Sequence, residues 1–180
     1  MVAPLLLLLI FGTIDFSGYF GSRLSVENAA RAGARVAATE AYAAYPGAGT
    51  AIVAAISAQD NVGHVPTGTD CTWSKYTLNP SSYPPPFTFS GAGCIGIWYF
   101  ELSPSGSPWL CAQWNVGSSS WIWWDAGGVA AASRPTGCVA PGSDLVVVGV
   151  GFHYDSITPL PTIAEGALDT YGETQLLEEQ

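Results

Sequence analysis

Four side chains in this sequence can bond covalently to one another: Cys71, Cys94, Cys111 and Cys138. Their spacings of 23, 17 and 27 residues contain no CxxC pair, and only His64 and His153 could help complete a metal site. Zinc chemistry is therefore disfavoured, and no metal is expected. In a chain exported through a membrane, two disulfides are the favoured reading, with buried free thiols as the bland alternative. Three pairings are open; the sequential one, Cys71–Cys94 with Cys111–Cys138, is the one favoured. Each such bridge closes a loop of about 25 residues and contributes roughly 3 kcal/mol by restricting the unfolded chain.

Other reactive residue types make weaker constellations. Ser118 to Ser120, His153 and Asp144 or Asp155 could be imagined as a hydrolase set, but no G-x-S-x-G elbow is present. The run VGVGFH, Val148 to His153, lacks a complete glycine fingerprint and a following helix, so nucleotide binding is not expected. The sequence thus predicts neither an enzyme nor a cofactor. Seven tryptophans stand out: Trp73, Trp98, Trp109, Trp114, Trp121, Trp123 and Trp124. In a strand, Trp121 and Trp123 share one face, and Ile122 and Trp124 the other. Core packing or a subunit interface is the commoner use of such residues, and a sugar-stacking platform built on Trp121, Trp123 and Trp124 is the sharper alternative.

Charge narrows the partners. The chain of 180 residues carries a net charge of −9, with 48% hydrophobic and only 11% charged residues. Residues 1–60 hold Arg23, Arg31 and Arg35 against four acids, whereas the remainder holds Lys75 and Arg134 against ten. So acidic a head repels phosphate, which argues against nucleic acid. The hydrophobic content argues against disorder.

The elements that must position these residues begin with a long helix. Residues 1–20 contain no basic residue and one acid, Asp15. At 1.5 Å per residue, about 20 apolar residues reach roughly 30 Å, the thickness of a bilayer's hydrocarbon core. The helix is predicted from Val2 to about Ala44, stopped by Pro46-Gly47, with Pro4 tolerated in its first turn. Ala29, Gly33, Ala37 and Ala41 repeat every four residues, as do Ala30, Ala34 and Ala38, giving a smooth face for a neighbouring helix. Gly12, Gly18 and Gly21 would permit close helix approach in lipid or a filament core. Glu27, Arg31 and Arg35 form an i, i+4 ladder on another face. A lone ionised acid in such a span costs about 3 kcal/mol, so Asp15 is expected either to pair between subunits or to sit hydrated near the interface.

A second short helix is predicted over Thr50 to Gln59, with Gly49 or Thr50 near its cap. NPSSYPPPF, Asn79 to Phe87, reads as a turn or polyproline segment. CIGIWYFEL, SSSWIWWD and DLVVVGVGFHYDSI read as strands. Glu165 to Gln180, with five acids and no base, reads as an edge strand ending in a solvated tail. The fold class is α+β: a long N-terminal pilin-like helix, a short second helix, and an antiparallel β-rich head tied by disulfides. The expected division is an assembly helix over residues 1–46 and an extracellular head over 47–180.

The segment APLLLLLIFGTIDFSGYF…NAARAGARVAA resembles the TadE-like family of tight-adherence (Flp-type) pilus systems. The likeness rests on Pro4, on Asp15-Phe16 after the apolar run, and on Ala29-Ala30-Arg31-Ala32-Gly33-Ala34-Arg35. DLVVVGVGFHYDSITPL looks like that family's closing strand. Leu5 stands where processed pilins usually carry glutamate, and Asp15 where the family more often has Glu. The Trp- and Cys-rich stretch 71–138 matches no part of the family pattern and reads as an insertion. Arg23, Arg31 and Arg35 after the span would hold the head in the cytoplasm. A basic leader removed ahead of Met1 resolves that conflict with the cysteines, so Met1 is expected at or near a processed terminus. The resemblance implies a pseudopilin or minor pilin that sits in the inner membrane before assembly. It would be trimmed by a prepilin peptidase and joined to copies of itself and other pilins by the pilus machinery in an extracellular filament. Asp15, Gly12, Gly18, Ala29, Arg31, Gly33, Arg35 and Ala37 are the candidate assembly positions.

Overall fold

The apolar N-terminal run and the alanine-rich segment after it form one unbroken helix, α1 (Ala3–Thr39). The structure, a computed structural model, describes residues 2–39, 47–59, 69–72, 93–101, 109–135, 138, 144–154 and 169–177. The predicted end of α1 near Ala44, the polyproline segment, Trp73, Asp155 and the acidic tail beyond residue 177 lie outside the described residues. The helix starts with the amide of Leu6 bonded to the carbonyl of Val2 at 3.1 Å, so Pro4 falls in the first turn, where its missing N–H is not needed.

The second helix, α2 (Ala48–Gln59), begins two residues ahead of the prediction, with the Ala51 amide bonded to the Gly47 carbonyl at 3.0 Å. Gly49 is therefore a packing residue in the first turn and not a cap. A Cβ there would collide with the indole of Trp114, so only glycine lets α2 start this close to the sheet.

The strands are β1 (Gly93–Glu101), β2 (Trp109–Asn115), β3 (Ser120–Trp124), β4 (Ala130–Ala131), β5 (Asp144–His153) and β6 (Asp169–Leu177). They form an antiparallel sheet in the order β4-β3-β2-β1-β5-β6. The expected α+β class is what the structure shows. β1 and β5 occupy the middle, and both read as near-continuous runs of buried residues because each face of the sheet is covered. The acidic C-terminal segment is the edge strand β6, as expected.

On one face lie Ile95, Ile97, Tyr99, Ala112, Trp114, Val146, Val148 and Val150, packed against Val26, Ala29, Ala30, Ala34, Ala37 and Ala38 of α1 and Ile52 and Ile56 of α2. On the other lie Cys94, Trp98, Phe100, Leu110 and Val147, covered in part by Cys71. Trp98 lies over Gly96, two residues back on the same strand, where a side chain would collide with its ring. The facing position on β5 is Gly149, so the strands leave a backbone-lined trough that the indole fills.

Both disulfides form in the favoured pairing, one for each face. Cys71–Cys94 ties the 69–72 segment to β1, beside a parallel bridge between Asp70 and Ile95. Cys111–Cys138 lies on the helix side. Cys111 reaches that side through a β-bulge. Tyr99 pairs with Ala112 and Phe100 with Leu110, which leaves Cys111 as the extra residue of β2.

The hairpin turns are set by short polar side chains. Asn115 Oδ1 accepts bonds from the Ser118 amide at 2.7 Å and its hydroxyl at 2.8 Å, in the β2–β3 turn. Asp125 Oδ1 accepts from the amides of Gly127 and Val129, both at 2.9 Å, after β3. Gly128 takes a φ of 75° there, a conformation that favours glycine.

Candidate functional site

The two halves of α1 live in different surroundings. From Ser22 onward a face of the helix is buried in the head, whereas Leu5 to Phe11 are all exposed, with Leu5 66% and Leu8 58% accessible. A helix apolar on all sides has no aqueous solvent-facing surface to offer, so its medium is lipid or other apolar helices. By length and composition α1 can cross a membrane.

The candidate assembly residues fall into three groups. Ala29, Gly33 and Ala37 are buried inside this chain. A Cβ on Gly33 would lie 2.6 Å from Ile56 Cγ1 and 3.2 Å from Val148 Cγ1. The smooth face read as a surface for a neighbouring helix is thus occupied by α2 and the chain's own sheet. Sequence periodicity could not distinguish these, because an internal and an external helix partner ask for the same small residues. Arg31 and Arg35 lie on the exposed side. Glu27 sits between Arg23 at 3.4 Å and Arg31 at 3.7 Å, so the ladder centres on Glu27. Gly12 has open space where a side chain would project, as does Gly21.

Asp15 and Gly18 belong to a junction that the sequence reading missed. Tyr154, directly after β5, reaches across to α1 and donates its hydroxyl to the backbone carbonyl of Asp15 at 3.3 Å. Its ring packs edge-on to Tyr19, with centroids 5.9 Å apart. A Cβ at Gly18 would strike the Tyr154 hydroxyl, so the glycine is what lets the ring lie on the helix. Burial, and then the nearby Asp15 carboxylate, push the Tyr154 phenol above its ordinary pKa of 10.0. Further along, Tyr99 donates to the Ala37 carbonyl at 3.0 Å. The hydroxyls of Tyr99 in β1 and Tyr154 just past β5 therefore fasten α1 near each end of its contact with the head. The available signal was an aromatic with a polar tip closing an otherwise aliphatic strand.

The described tryptophans pack. Trp121 meets Trp114 at 5.0 Å and Tyr99 at 5.5 Å in edge-to-face geometry, and it joins Trp123 against the helix-side core. Trp124 packs on the opposite face. Trp121, Trp123 and Trp124 therefore do not share one stacking surface. Ser118 lies in the β2–β3 turn, hydrogen-bonded to Asn115 and at 2.7 Å from the Ser120 hydroxyl. His153 is on β5, with β1 and β2 between them. Among the described residues, no group of three His, Cys, Asp or Glu side chains could hold a metal ion.

These features define a class: a disulfide-braced β head built onto the second half of a helix whose first half is apolar on every side. Residues 1–35 match the model of the TadE-like protein family, which takes in both the apolar run and the AARAGAR segment. The match associates the chain with the Tad pilus, and with the apolar helix it fits a membrane-anchored or pilus-surface location. No curated protein and no solved structure matches the chain.

Proposed function

We propose that this protein is a structural pilin-like subunit of a Tad/Flp-like pilus or related extracellular filament, assembled through its N-terminal helix. The observation that supports this most is the contrast along α1: one continuous helix, with one face buried in its own head from Ser22 on, and exposed and apolar before Phe11. Lipid satisfies that surface before assembly, and the equivalent helices of other subunits satisfy it afterwards. The division of labour is then residues 1–46 for anchoring and assembly and residues 47–180 for display, with residues 22–38 also serving as core of the head. Prepilin peptidase and the pilus machinery are the expected handlers, and Asp15, Gly12, Arg31 and Arg35 remain candidates for contacts between subunits.

Cysteine cross-linking tests this reading. In full-length Leu9→Cys, oxidation should produce covalent dimers only in material that has assembled, whereas Val129→Cys, on the exposed hairpin after β3, should give few. Monomers alone from both variants, in a preparation that sediments as polymer, would show that the apolar halves are not in contact.

A further inference from the structure

The junction around Tyr154 is also where the apolar surface of the helix gives way to charge. Phe16 and Phe20 remain 66% and 49% exposed although they lie level with the head, and their rings approach at 5.6 Å. Tyr19 meets Phe20 at 5.7 Å and Tyr154 at 5.9 Å, so four aromatic rings from two elements form a connected partial collar along one side of a short stretch of helix. Arg23, exposed, is the first basic residue and follows Phe20 by less than one turn. From Val2 to Phe20 the helix rises about 27 Å, close to the roughly 30 Å of a hydrocarbon core.

We propose that this aromatic collar seats the head directly on the lipid headgroup region, fixing the depth of the helix in the membrane. This rests on the reading above that the apolar half is embedded in lipid before assembly. The stretch of helix clear of the head, ending near Ile14, is too short to cross a bilayer by itself. A membrane that covers the apolar surface must therefore reach the Tyr154 contact. Tyrosine rings, apolar with one polar edge, are favoured at that depth; Phe16 and Phe20 add apolar surface beside Tyr19 and Tyr154, and an arginine just beyond them meets the phosphates. The β2–β3 turn, with Gly117, Ser118 and Ser119 exposed, lies at the same end of the sheet as Tyr154. Among the described residues, it is a part of the head that would face the headgroups beside the helix.

The test uses the full chain in phosphatidylcholine–phosphatidylglycerol vesicles, with an environment-sensitive fluorophore on single introduced cysteines. Leu8→Cys marks the span, Gly21→Cys the collar, where the structure leaves open space, and Ser118→Cys the turn. Quenching is read with nitroxides placed deep in the acyl chain or at the headgroup, and with aqueous iodide. The proposal expects strongest quenching from the deep nitroxide at 8 and from the headgroup nitroxide at 21, with 118 reached by both headgroup nitroxide and iodide. Phe16→Ser with Phe20→Ser should shift the position-21 label from headgroup to iodide quenching. Deep quenching at 8 with iodide-only quenching at 21 overturns the collar and leaves the embedded helix intact. Iodide quenching at 8 overturns the embedded helix itself. A label at 21 shielded from lipid and iodide alike places a second copy on the collar, which also overturns the proposal.

Discussion

Gly33→Ala is the substitution that best separates an internal from an external use of the small-residue face. A Cβ at 33 falls 2.6 Å from Ile56 Cγ1 and 2.9 Å from Ile56 Cδ1, and Ile56 is fully buried with Val148 behind it. Neither neighbour can swing into solvent. Overpacking of this kind costs about 1–3 kcal/mol. Replacing glycine in a helix interior returns up to about 1 kcal/mol. The net expectation is a loss of about 1–2 kcal/mol, or a fall in Tm of about 2–6 °C for a chain this size. The sign should reverse when Ile56 is truncated. Ile56→Ala alone opens a cavity and costs about 2–5 kcal/mol, and the added methyl at 33 refills part of it, so the double variant should melt above the single. Gly12→Ala and Gly21→Ala, whose Cβ atoms meet nothing within 4 Å, serve as controls and should not lower Tm. The assay is thermal unfolding of the detergent-solubilised full chain. A neutral or stabilising Gly33→Ala, with no sign reversal in the Ile56→Ala background, would refute the packing of α1 on α2 and β5.

Three further outcomes follow from the same contacts. Alkylation of unreduced protein should modify none of Cys71, Cys94, Cys111 and Cys138, and reduction should cost about 2–5 kcal/mol per bridge; four freely alkylated thiols by mass spectrometry would contradict this. Because folding raises the Tyr154 pKa, the folded state favours the neutral phenol. That contribution is complete below the unfolded value of 10.0 and is lost as pH rises through the higher folded one. Ultraviolet titration should therefore lose a late-ionising tyrosine in Tyr154→Phe, and an unchanged curve would contradict the burial. Asp15→Asn should impair filament formation, and Asp15→Glu should be tolerated. Normal filaments from Asp15→Leu would remove any role for the charge.

Much of this architecture was legible because each signal is local. An uninterrupted apolar run, alternating valines in DLVVVGVGF and paired aromatics in SWIWW name their own secondary structure. β2 was not anticipated, because WLCAQWN contains a bulge at Cys111 that breaks the period of two on which a strand is recognised. The clearest signal it carries is Asn115, whose side chain builds the turn into β3. α2 begins earlier than its polar residues suggest because its start is set by a tertiary contact, Gly49 under Trp114. The candidate site was legible in its residues but not in its partners. Small residues at a spacing of four describe a smooth helix face without saying whether the chain or another copy covers it. The Tyr154 junction joins positions 139 residues apart, which no pattern along the chain can connect.

The central claim is that the apolar half of α1 becomes the core of a filament while its second half stays within its own head. Helical reconstruction of native filaments from electron micrographs tests it most directly. The account predicts residues 2–20 of neighbouring copies packed against one another near the filament axis, the helix continuous through residue 39, and Gly33 still covered by Ile56 of the same chain. Filaments held together by their heads, with residues 2–20 outside the core, would contradict it.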